Sequence, residues 1–77
     1  MNNPTRNRLQ DIVDSLESLK AELEDISETE QEKLDNTPEN LHGSERYMRA
    51  EEACEYLENA LSAFEELIDS ITDSIEA

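Results

Sequence analysis

A chain of 77 residues with 21 acidic and only 6 basic side chains carries a formal charge of −15. Such a surface repels phosphate, which excludes direct DNA or RNA binding and attachment to anionic membranes, and leaves basic protein surfaces as the natural partners. The apolar runs are short and the opening Met1-Asn2-Asn3-Pro4 has no hydrophobic core, so no spanning helix, no signal peptide and a cytoplasmic location are expected.

One domain at most fits this length, and a fold so small gains from assembly. The first predicted element is a helix over about residues 4–35, opened by Asn3 as cap and Pro4 in the first turn. Leu9, Ile12, Leu16, Leu19, Leu23 and Ile26 recur at alternating steps of three and four, with Val13 beside them, which is one face of a helix. The same register next places Glu30 and Lys33 inside, so the seam turns polar there, with Leu34 one step away to compensate.

Turn residues concentrate in Asp35-Asn36-Thr37-Pro38-Glu39-Asn40-Leu41-His42-Gly43-Ser44, a stretch that includes the one glycine. It predicts a loop over about residues 36–43, with Thr37 capping a short turn, Gly43 ending it and Leu41 folded inward as a plug. Ser44 then caps a second helix over about residues 44–76, and Glu45 suits the positive end of its dipole.

The second helix carries the longest pattern in the chain: Tyr47, Ala50, Cys54, Leu57, Leu61, Phe64, Ile68, Ile71 and Ile75 form an unbroken heptad seam. Ala53, Ala60 and Leu67 add a third apolar row. The expected fold is therefore all-α, two long antiparallel helices that place Arg6 and Arg8 beside Asp69, Asp73 and Glu76. The extra row predicts a dimer of hairpins, a four-helix bundle, with Leu57, Leu61, Phe64, Leu67, Ile68 and Ile71 at the oligomer interface. Cys54 lies within the seam and reads as a small buried hydrophobe, with no second cysteine to pair with.

No catalytic, cofactor or metal constellation is found. Bundle metal sites need inward carboxylates with a Glu-x-x-His pair, and the lone His42 sits in the loop. There is no phosphate-cradling glycine loop, no Cys-x-x-Cys and no nucleophile with a base at a matching spacing, so the chain is not expected to be an enzyme.

Two surface features remain. Glu51, Glu52, Glu55, Glu58, Glu65 and Glu66 give the second helix an acidic surface able to imitate a nucleic-acid backbone and occupy a basic groove. Asn36, Glu39, Asn40, His42, Ser44, Arg46 and Arg49 gather hydrogen-bonding groups near the loop, where an anion such as a nucleotide phosphate could be held.

The segment from Asp35 to Tyr47, followed by an Ala/Glu-rich helix containing Leu57-Glu58-Asn59-Ala60, resembles a group of small acidic helical proteins of phages, prophages and gut bacteria. His42, Gly43 and Met48 are positions where such relatives are expected to differ. The resemblance transfers no catalytic residue, because that group has no established activity. It implies a setting, in which small acidic phage proteins inhibit host machinery such as defence nucleases, or assemble to sequester cyclic nucleotide signals. The leading expectation is a non-enzymatic inhibitor that binds a basic host protein, possible partners including a nucleic-acid-binding defence complex. The alternatives are an oligomeric nucleotide sponge using the loop and a structural coiled-coil adaptor.

Overall fold

The computed structural model describes residues 1–77 as two helices, α1 (Asn3–Asp35) and α2 (Glu45–Glu76), joined through a 3-10 turn at Glu39–Leu41. The helices pack on each other as an antiparallel hairpin 59 Å long and 15 by 13 Å across. The fold class is thus the one the heptads demand.

The caps set the ends. Asn2, not Asn3, caps α1: its side-chain oxygen accepts from the Thr5 amide at 2.9 Å, which moves Pro4 into the first turn one step further along. At the far end the polar stretch does not fray. Lys33 pairs with Glu30 at 3.2 Å, and Leu34 is buried, which anchors the last turn through Asp35. Ser44 caps α2 by accepting from the Tyr47 amide at 3.1 Å.

The loop departs from expectation in three places. Thr37 caps nothing; its hydroxyl donates back to the Lys33 carbonyl at 2.9 Å, and Pro38 occupies the position before the 3-10 turn. Gly43 adopts no positive φ, and a side chain there would meet open space, so the turn does not require glycine at this point. Leu41 remains half-exposed rather than plugging the hairpin.

Pairing direction is fixed by two contacts between the helices. Lys20 Nζ lies 3.1 Å from Glu65, and Arg6 Nε donates to the Ile75 carbonyl at 3.2 Å. Arg6 thereby satisfies a carbonyl of the last turn of α2 that has no partner within the helix. This replaces the expected pairing with Asp69, Asp73 and Glu76, since neither Arg6 nor Arg8 forms an ion pair.

The α2 seam follows the heptads except at Ala50, which is exposed near the loop end: Tyr47, Cys54, Leu57, Leu61, Phe64, Ile68, Ile71 and Ile75 are covered or part-covered. On α1 the covered or part-covered residues are Arg6, Leu9, Val13, Leu16, Lys20, Leu23, Ser27, Glu30, Gln31 and Leu34. The row facing α2 beside the central leucines is therefore Val13, Lys20, Ser27 and Leu34. Ile12, Leu19 and Ile26, expected in the seam, are 48%, 50% and 55% exposed. A two-helix contact buries little: only Val13, Leu34 and Cys54 are fully inside.

Candidate functional site: two unlike flanks and a loop groove

Heptad geometry gives the hairpin two long flanks, one on each side of the seam. On the first, Glu17, Lys20 and Glu24 from α1 and Glu65, Ile68 and Asp69 from α2 line a groove of about 450 Å3. Lys20 spans it, 3.1 Å from Glu65 and 3.5 Å from Glu24. The hydrogen bond to Glu65 is the main reason its ammonium pKa lies above the ordinary value, with both carboxylates adding attraction and partial desolvation opposing. One lysine among these acids leaves the flank negative. Towards the loop, on the outer side of α2, Glu45, Glu51, Glu52 and Glu55 surround a second hollow that also holds the Glu45–Arg49 ion pair at 2.6 Å.

The six glutamates singled out on α2 do not share one surface. Glu51, Glu58 and Glu65 recur every seventh residue and border the seam on this flank, and Glu55 lies just outside them. Glu52 and Glu66 fall on the back of α2. Missing from the sequence-level set were Glu17, Glu24 and Asp69, which the antiparallel return brings to the same groove. Once the register of α1 against α2 is known, they follow.

On the opposite flank lie Ile12, Leu19 and Ile26 from α1 and the Ala53, Ala60, Leu67 row from α2, with Leu67 48% exposed. The adjoining outer positions are Ser15, Glu22 and Thr29 on α1 and Tyr56, Ala63 and Ser70 on α2. Glu22 is the one carboxylate among all of these. Of the six residues expected at an oligomer interface, Leu57, Leu61, Phe64, Ile68 and Ile71 are part-covered along the seam to α1, and Leu67 alone stands outside it.

The loop end opens onto this second flank through a groove of about 650 Å3 lined by Leu34, Leu41 and Tyr47 together with Glu30, Lys33 and Arg46. Arg46 makes no ion pair, whereas Lys33 holds Glu30. Of the other loop candidates, His42 and Ser44 spend their side chains on the fold. His42 Nε2 lies 2.9 Å from the Thr37 carbonyl, and its ring stacks on Tyr47 with centroids 4.3 Å apart. The Asn36 amide closes α1 on the Glu32 carbonyl at 3.0 Å, and Ser44 is the cap of α2. Glu39 and Asn40 are exposed on the 3-10 turn.

Cys54 is buried in the seam, and burial pushes its thiol pKa up, assisted by the negative potential of Glu30, Glu58 and Asp35. No three side chains of His, Cys, Asp and Glu converge as a metal-binding group, and no helix is long and apolar enough to cross a membrane. No known protein family, curated protein or solved structure matches the chain.

Proposed function

We propose that this is a non-enzymatic, acidic protein-binding module of the phage-inhibitor kind, whose carboxylate flank occupies the basic, nucleic-acid-binding surface of a host protein in the host cytoplasm. The observation that carries the reading is the gathering of acids along one side of a rigid rod. The flank sets Glu17, Glu24, Glu51, Glu55, Glu58, Glu65 and Asp69 against Lys20 alone, a row of carboxylates of the same sign as a nucleic-acid strand along a rod 59 Å long. A groove evolved for one strand would meet a similar potential, steering association at low salt and releasing at high salt. Two hairpins joined as a four-helix bundle belong to the same proposal, since one hairpin buries so little.

The test is capture from host lysate at low and high salt, beside a Glu17/Glu58/Glu65→Gln variant. Salt-sensitive capture of a DNA- or RNA-binding protein, lost in the variant, is the expected result. No basic partner in either salt would sink the reading.

A second reading rests on the loop groove, lined by the unpaired Arg46 and the Lys33–Glu30 pair beside Leu34, Leu41 and Tyr47: a bundle that sequesters a nucleotide. Native mass spectrometry would then find a bound nucleotide that Arg46→Ala loses, with no salt-sensitive protein partner.

A further inference from the structure

The hairpin turns its less apolar α1 row inward. Beside Leu9, Leu16 and Leu23, the row facing α2 holds Val13, Lys20, Ser27 and Leu34, while Ile12, Leu19 and Ile26 are left about half-exposed. A structure limited by burial would have used the richer row against α2, unless that row has a cover of its own. Leu67 and two alanines extend it across the seam into a stripe two helices wide.

The missing area can be sized. A compact protein of 8.8 kDa exposes about 4,800 Å2, whereas this chain exposes 5917 Å2. Its radius of gyration is 17.5 Å, against about 11.5 Å for a compact chain of this length. The excess surface, about 1,100 Å2, exceeds the ~800 Å2 that each partner contributes to a standard interface. One flank of a rod 59 Å long and 15 Å wide has a footprint of that order.

We infer that the flank bearing Ile12, Leu19, Ile26 and Leu67 is covered by the same flank of a second copy, related by a two-fold axis perpendicular to the rod, so that the loops lie at opposite ends. This rests on the bundle proposed above and assigns its face and direction. A second copy suits the flank because, Glu22 apart, the acids that make like chains repel are elsewhere, and Ala53, Ala60 and Ala63 leave room for the large side chains of a twin.

Direction follows from charge. With the loops together, the unpaired Arg46 of both copies would share one end, since Lys33 and Arg49 are held by Glu30 and Glu45. Reversed, Arg46, which makes no ion pair, approaches the carbonyl end of the partner's α2, whose last turn has no basic residue of its own and is met in each chain by Arg6 at the Ile75 carbonyl.

Light scattering of the intact chain at tens of micromolar, with pulsed electron-spin distances between labels on Asn40→Cys in a Cys54→Ala background, tests the inference. The expected mass is two chains, with labels on the order of 50 Å apart or more, from the helical rise over most of each rod. Leu19→Glu should weaken pairing by more than about 100-fold, because it buries two unpaired charges, whereas Ala21→Glu, with the same charge change on the acidic flank, should leave pairing intact. A dimer indifferent to Leu19→Glu, or labels brought together at one end, overturns the face or the direction while leaving the bundle standing. A wild-type monomer overturns both. Should Leu19→Glu lose its helix on dissociation, wild-type mass and label distance decide.

Discussion

The two flanks of this hairpin are unlike in everything but length. One sets Glu17, Glu24, Glu58, Glu65 and Asp69 beside a single lysine, and the other sets isoleucine, leucine and alanine beside a single glutamate. The contrast shows that a charge of −15 is not spread evenly around the rod. Repulsion between copies comes from the acidic flank and the backs of the helices, not from the apolar flank, so high net charge and self-association are compatible in the same molecule.

Neighbouring residues offer the sharpest way to break this comparison. Val13 is buried in the seam and Ile12 faces the apolar flank. Val13→Asp should abolish the cooperative helical signal in circular dichroism, since a buried unpaired carboxylate costs about 3 kcal/mol or more against so thin a core. Ile12→Asp should leave a helical hairpin at high concentration. The reverse result would exchange the two rows of α1 and with them the two flanks.

A smaller effect separates the two leucines at the loop end. Leu34→Ala should cost about 2–4 kcal/mol in denaturant unfolding, as for a buried leucine, while half-exposed Leu41→Ala should cost under about 1.5 kcal/mol. Equal losses would mean that Leu41 closes the hairpin after all.

On the acidic flank the effects are electrostatic and smaller still. The pKa of Lys20 is raised in the folded chain, so its stabilising contribution is fully present below its ordinary value of 10.5 and is lost as pH climbs through the raised one. Lys20→Met should therefore lower the melting temperature at neutral pH, and the gap from wild type should narrow in strongly alkaline buffer. Smallest of all, Glu17→Gln should raise the melting temperature slightly in dilute buffer and not in high salt, because it removes one of several facing carboxylates.

Much of this architecture is legible in the residues themselves. The α2 seam from Tyr47 to Ile75 has one self-consistent heptad, and the loop announces itself through Pro38, Gly43 and the caps around them. The α1 register is harder to read. Three apolar rows compete there, and Ile12, Leu19 and Ile26 form a better row than the one containing Lys20 and Ser27. The two clues pointing the other way, Val13 beside the stripe and Leu34 one step off it, are weak alone, and only contact with α2 makes Lys20 useful through Glu65.

The acidic groove was legible by half for the same reason. Glu51, Glu58 and Glu65 are visible as a helical row, but Glu17 and Glu24 join them only through the antiparallel return. Loop residues were misjudged in a different way: donors and acceptors clustered in sequence can be spent on the backbone, as His42 and Ser44 are. Arg46 is the one basic residue of the set that stays outside every ion pair.

Host-lysate capture by two charge-free triple variants puts the division of labour between the flanks to the most direct test. Glu17/Glu58/Glu65→Gln should lose the salt-sensitive partner, whereas Ile12/Leu19/Ile26→Gln should keep it. Retention by the first variant with loss by the second would contradict the account.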